Sequence, residues 1–126
     1  MKNKIIFSPE APAAIGPYSQ AILDQNNTIY ISGQLPIDNK IGKIVSDNIS
    51  DQTLQCLKNL EYILKSAGKN LENVIKVTVL LTDINEFQEM NKIYENFFKE
   101  VKPARSAYQV VALPRGAKIE IELVAQ

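Results

Sequence analysis

Only two of the 14 basic residues are Arg, and one of them, Arg105, follows Pro103-Ala104 and opens the run Ser106-Ala107-Tyr108-Gln109-Val110-Val111. A guanidinium is a planar fork of donors that meets a carboxylate with two parallel hydrogen bonds, which a lysine ammonium cannot do. Arg105 is therefore the candidate anion clamp, set against the commoner role of a surface ion pair. Downstream, Glu120 and Glu122 stand two apart in an alternating segment and face the same side of a strand. Glu122 reads as the polar outer face. Glu120, nearer the Gly116 turn, is expected close to the mouth from which Arg105 emerges. A carboxyl partly withdrawn from water holds its proton more tightly and suits a proton shuttle. Ser32-Gly33-Gln34 ends another strand, where a glycine admits a ligand to the backbone or simply allows a bend. Tyr18 closes Gly16-Pro17-Tyr18, either a phenol offered to a site or a pin holding the segment to the core.

Absences narrow the chemistry. The chain has no His and one Cys, which excludes His-based nucleophilic catalysis, His general bases and any ordinary structural zinc site. The five glycines form neither a P-loop nor a dinucleotide fingerprint. Fourteen acidic residues balance the 14 basic ones, so nothing predicts binding to nucleic acid or an anionic membrane. A single Cys fits a reducing cytoplasm, and the three-residue apolar run Ile5-Ile6-Phe7 is too short for a secretory signal. An enzyme built this way would work with Arg, Glu, Tyr, Ser and backbone groups, without metal or cofactor.

The elements that must position these residues are read from periodicity. One domain over 1–126 is expected. Strands are predicted at 4–7, 21–23 and 28–32, the last two joined around Asp24-Gln25-Asn26-Asn27, with a proline-stiffened loop from Ser8 to Pro17. Leu54, Leu57, Leu60 and Leu64 mark a first helix, capped by Asp47 or Ser50 and ended by Gly68. Asp83-Ile84-Asn85-Glu86 caps a second, on which Phe87, Asn91, Tyr94 and Phe98 share a face. Between them Ile75, Val77, Val79 and Leu81 alternate with Lys76, Thr78 and Leu80. The order β-β-β-α-β-α-β-β gives an α+β domain, a mixed sheet with two helices on one face. The other face would carry Tyr30, Leu80 and Val124 together, which argues for an oligomer.

Four stretches resemble the RidA (YjgF) family in matching order: Ala13 to Gln20, Ile31 to Gln34, Pro103 to Ser106, and Leu113-Pro114 through Ile119 to Glu122. The resemblance runs essentially end to end. It implies a chorismate-mutase-like fold, a homotrimer with sites between subunits, and hydrolytic deamination of reactive enamine/imine intermediates. Those intermediates are 2-aminoacrylate (2-iminopropanoate) and 2-iminobutanoate, released by pyridoxal-phosphate dehydratases, and the products are 2-oxo acids and ammonia. It further implies that Arg105 clamps the substrate carboxylate, that Glu120 handles the proton and attacking water, and that Tyr18, Ser32 and the Gly33 backbone line the pocket, with Phe87 and Asn91 near the cleft. Many members carry Cys where this chain has Ala107, which keeps its backbone N–H at the site. Two other functions fit less well: a carboxylate-binding regulatory protein using the same Arg without turnover, and a ribonuclease or translation inhibitor. Zero net charge and the lack of a basic aromatic patch argue against the second.

Overall fold

Strict alternation along Ile119–Ala125 sets the centre of the sheet: Ile119, Ile121, Leu123 and Ala125 are buried, while Glu120, Glu122 and Val124 face the other way. A computed structural model describes residues 2–126. Its strands are β1 (Lys4–Ile6), β2 (Ala21–Leu23), β3 (Ile29–Gln34), β4 (Ile37–Asp38), β5 (Lys43–Ile44), β6 (Val74–Leu81), β7 (Ala104–Gln109) and β8 (Ile119–Ala125); its α-helices are α1 (Ile49–Ser66) and α2 (Phe87–Phe97). The six-stranded sheet runs β1-β2-β3-β8-β6-β7, with β6 and β7 parallel and every other pair antiparallel. Both helices lend residues to the core that covers its inward face. The mixed sheet, the two helices and their order are as the periodicity predicts.

Local chemistry explains the connections. The carboxylate of Asp24 accepts hydrogen bonds from the backbone of Asn26 (2.8 Å) and Thr28 (2.9 Å), and Asn27 takes the left-handed conformation (φ 65°), closing the β2–β3 hairpin. The loop after β1 is clasped by buried Gln20, which accepts from Ser8 N–H (2.6 Å) and donates to the carbonyls of Ser8 (3.1 Å) and Pro12 (2.9 Å). The prolines restrict this loop; Gln20 fixes its path. At the end of α1, Gly68 (φ 71°) and Lys69 return N–H bonds to Lys65 and Leu64, a Schellman closure that requires the positive φ.

Three sequence expectations need correction. Asn48, neither Asp47 nor Ser50, caps α1, its side chain accepting from the N–H of Ser50 and Asp51. Leu54 is 36% exposed, because the buried stripe of α1 also takes the amides Gln52, Gln55 and Asn59. Asn59 donates to the carbonyls of Leu35 (3.2 Å) and Ile37 (3.0 Å), so polar positions tie the helix to the loop beyond β3. Ile75 is 48% exposed and Val74 buried in its place, since the β6–β8 register shifts between Val74 and Lys76 and inverts the pleat there. The two-residue strands β4 and β5 flank the predicted Asp38–Gly42 turn and are too short to leave a period. Cys56 is fully buried and donates to Gln34 C=O at 3.2 Å; burial pushes its thiol well above the usual range, so it behaves as a core residue. Among the described residues, no helix is long and apolar enough to cross a membrane.

Candidate functional site

Arg105 lies on β7, the edge strand, in register with buried Val77 of β6, so its side chain rises on the helix-covered side of the sheet. There it meets one face of α2. Phe87, Asn91 and Tyr94 recur at the i, i+4, i+7 spacing that stacks side chains along a helix. Arg105 Nη1 donates to Asn91 Oδ1 at 2.7 Å; its guanidinium carbon stands 4.6 Å from the centroid of the Tyr94 ring and 5.5 Å from that of Phe87. Both distances are within cation–π range.

What Arg105 lacks matters as much. Among the described residues the one ion pair joins Lys118 to Glu86 at 3.7 Å; no carboxylate reaches Arg105. Its charge is oriented by a neutral amide and two ring faces but not neutralised. With Asn91 and Tyr94 it lines an open cavity of about 380 Å³ that also touches Glu95 and Lys102. Half-buried Ala107, two residues along β7, faces the same side, opposite Val79.

Tyr18, Ser32, Gly33 and Glu120 form a second group. Glu120 projects from β8 on the sheet face away from the helices, opposite Leu80 of β6. Gly33 sits where the β3–β8 register shifts, and its missing side chain has a plain use. A Cβ there would stand 2.7 Å from the Glu120 carboxyl carbon. The space held open by the glycine is filled by this chain's own carboxylate. Glu120 is half-buried, and that desolvation, followed by the charge of Glu122 on the same face, raises its pKa above the ordinary value. Ser32 Oγ donates to Ser19 C=O at 2.6 Å, and its N–H bonds to Gln20 C=O, so Ser32 fastens the Gln20 loop to β3. Tyr18, 49% exposed, is not a pin into the core. It lines a cavity of about 220 Å³ with Ile15, Gly33, Gln34 and Arg115.

One chain does not bring the two groups together. Glu120 aligns through Leu80 with Tyr108 on β7, three residues beyond Arg105. Three residues are roughly 10 Å of strand, and an odd offset reverses the face. The expected approach of Glu120 to Arg105 is therefore absent within a chain. The reason is a register that alternation alone does not reveal. Sequence reasoning placed Phe87 and Asn91 near the site but did not assign Tyr94 to it, although Tyr94 lies on the same helical stripe. It also missed Gln20, which carries no periodic signal.

The architecture and sequence both have close counterparts. A family model described as Endoribonuclease L-PSP matches residues 8–126. Human 2-iminobutanoate/2-iminopropanoate deaminase is 53% identical over 123 residues, covering 98% of this chain and 89% of that protein. Among solved structures, YyfA of the conserved Rid protein family from Yersinia pestis superposes with a TM-score of 0.94 at 44% identity, covering 98% of each chain. The E. coli protein TdcF with bound serine superposes at 0.92 and 40% identity, covering 97% of each.

Proposed function

This chain belongs to the Endoribonuclease L-PSP (RidA) family, and from that membership and its site we propose that it hydrolyses reactive enamine/imine intermediates to 2-oxo acids and ammonia. The observation that carries this reading is Arg105: a guanidinium held in a fixed pose by Asn91, Phe87 and Tyr94, with no acid within ion-pair distance among the described residues. A 2-imino acid such as 2-iminobutanoate or 2-iminopropanoate supplies the missing carboxylate. Its other reactive feature is an electrophilic C=N carbon. Glu120, with a raised pKa, takes a proton from water as the water oxygen bonds to that carbon and the π electrons move to nitrogen. Glu120 returns that proton to nitrogen, giving the carbinolamine; it then takes the carbinolamine hydroxyl proton and delivers it to the amino group as the C–N bond breaks, so that ammonia leaves and the C=O of the 2-oxo acid forms. The imine is already unstable in water, so positioning, one anion clamp and one proton shuttle suffice.

In this reading the fold is chorismate-mutase-like, and the two groups meet across subunits of a homotrimer. Arg105, Phe87, Asn91 and Ala107 come from one subunit; Glu120, Gly33, Ser32 and Tyr18 come from its neighbour. The uncovered sheet face supports this: Tyr30 (49% exposed) and Tyr108 (52%) lie there with Leu80 and Val124. Pyridoxal-phosphate dehydratases in the cytoplasm supply the substrate. A binding role without turnover is the second reading, favoured by the serine held by TdcF. The test generates 2-aminoacrylate and 2-iminobutanoate with such a dehydratase and follows 2-oxo acid formation with and without this protein. Acceleration by the wild type, lost in Glu120→Gln, supports the deaminase; no acceleration leaves the binder.

A further inference from the structure

We propose that Tyr94 is the positioning residue of the Arg105 clamp, and that its ring, not its hydroxyl, sets the plane in which the guanidinium fork is presented. The role rests on Arg105 taking the substrate carboxylate. Of the three contacts that hold Arg105, Asn91 fixes one terminal nitrogen at 2.7 Å and leaves rotation about that bond open. The Phe87 ring is the more distant, at 5.5 Å, and is half-buried. Tyr94, at 4.6 Å, is the nearer and better buried floor. It cannot tilt freely, because its ring packs on Phe98 at 4.8 Å and Phe98 packs edge-on against Phe97 at 5.6 Å. The fork is thus referred through one ring to an aromatic stack anchored in the core, Phe98 being 2% exposed.

The hydroxyl takes no part in this. Among the described residues it has no hydrogen-bond partner, so the fold does not depend on it for a polar contact. Removing it while keeping the ring leaves the floor intact. Removing the ring removes a desolvated cation–π contact, equivalent to about tenfold in affinity.

The probe is 2-oxobutanoate, titrated by calorimetry or NMR, with imine hydrolysis measured beside it. Tyr94→Phe should bind within about twofold of wild type and melt at the same temperature or higher. Tyr94→Leu should weaken binding about tenfold and raise KM by the same factor, with kcat changing less. Tyr94→Met, longer and equally lacking a ring face, repeats the test if the Leu variant does not fold. A purely structural role would lower the melting temperature whatever stands at 105. The positioning role predicts that, in an Arg105→Lys background, Tyr94→Leu costs less than about twofold further in binding while its effect on melting persists. The proposal is overturned if the folded Leu or Met variant binds like wild type, if Tyr94→Phe loses as much as Tyr94→Leu, or if the loss is undiminished in the Arg105→Lys background. A wild type that does not bind 2-oxobutanoate removes the clamp and this role with it. One that binds but hydrolyses no imine defeats the deaminase reading alone.

Discussion

Replacing Gly33 by Ala tests whether the Glu120 carboxylate does its work where the fold puts it. Gly33 has no positive φ to protect, so alanine introduces no backbone strain. Its only new atom would stand 2.7 Å from Cδ and 3.1 Å from Cγ of Glu120, well inside van der Waals contact. The backbone of β3 is tied to β8, whereas the glutamate is a flexible side chain, so the carboxylate moves. It swings toward water, where its pKa falls back toward the ordinary value because desolvation was the main cause of the rise. A general base displaced by about an ångström or more forfeits most of its contribution, roughly a hundredfold or more in rate. Stability should change little, since no buried contact is emptied. The assay is imine hydrolysis alongside thermal melting, for Gly33→Ala, Glu120→Gln and the double variant. The single variants should be similarly slow, and the double no slower than Glu120→Gln. Near-wild-type turnover by Gly33→Ala would refute the reasoning, for it would mean that the position of this carboxylate is immaterial.

Arg105→Lys should lower kcat/KM by at least about tenfold, almost as far as Arg105→Ala, with melting unchanged; loss of a charge-assisted pair of this kind costs about 2–5 kcal/mol of binding, and hydrolysis near the wild-type rate would exclude a bidentate clamp. Since Glu122 is the second cause of the raised Glu120 pKa, Glu122→Gln should move the acid limb of the kcat/KM–pH profile to lower pH without abolishing turnover; an unmoved limb would assign that limb to another group. The folded-state pKa of Glu120 lies above the unfolded value, so ionising it disfavours the fold as pH rises past about 4.5. Glu120→Gln should therefore melt at or above wild type at neutral pH, and the difference should vanish in acid; a lower neutral melting temperature would contradict the shift. Sedimentation should give a trimer, and a single 14.1 kDa species at micromolar concentration would leave Arg105 and Glu120 without a common site.

The sheet was legible wherever burial has period two. The alternation of β8 predicted its inward and outward residues one by one, and α2 was found from Phe87, Asn91, Tyr94 and Phe98, the face on which Arg105 now lies. The failures at Ile75, at Gly33 and between Arg105 and Glu120 share a cause: each depends on a pairing between segments distant in sequence. Ile75 faces outward because of a bulge set by its pairing with β8, the last strand of the chain. Gly33 suggests either ligand access or a simple bend, because nothing local says that Glu120 lies against it. Arg105 and Glu120 were expected to be neighbours because both stand near strand ends, yet the β8-β6-β7 order separates them. Side-chain type indicates what chemistry is available; which groups meet is decided by register and then by assembly.

The state of Cys56 has a consequence for durability. A catalyst that works beside electrophilic C=N carbons is exposed to self-inactivation, because such a carbon accepts a thiolate as well as a water. This chain offers little opportunity. Its one thiol is fully buried, donates its proton to the Gln34 carbonyl and is kept in the unreactive protonated form by burial, with the nearby negative charge of Glu120 acting in the same direction. At position 107, two residues along β7 from Arg105, stands a methyl group. The proposed site thus presents no thiol to the substrate, and the sulfur of Cys56 packs in the core.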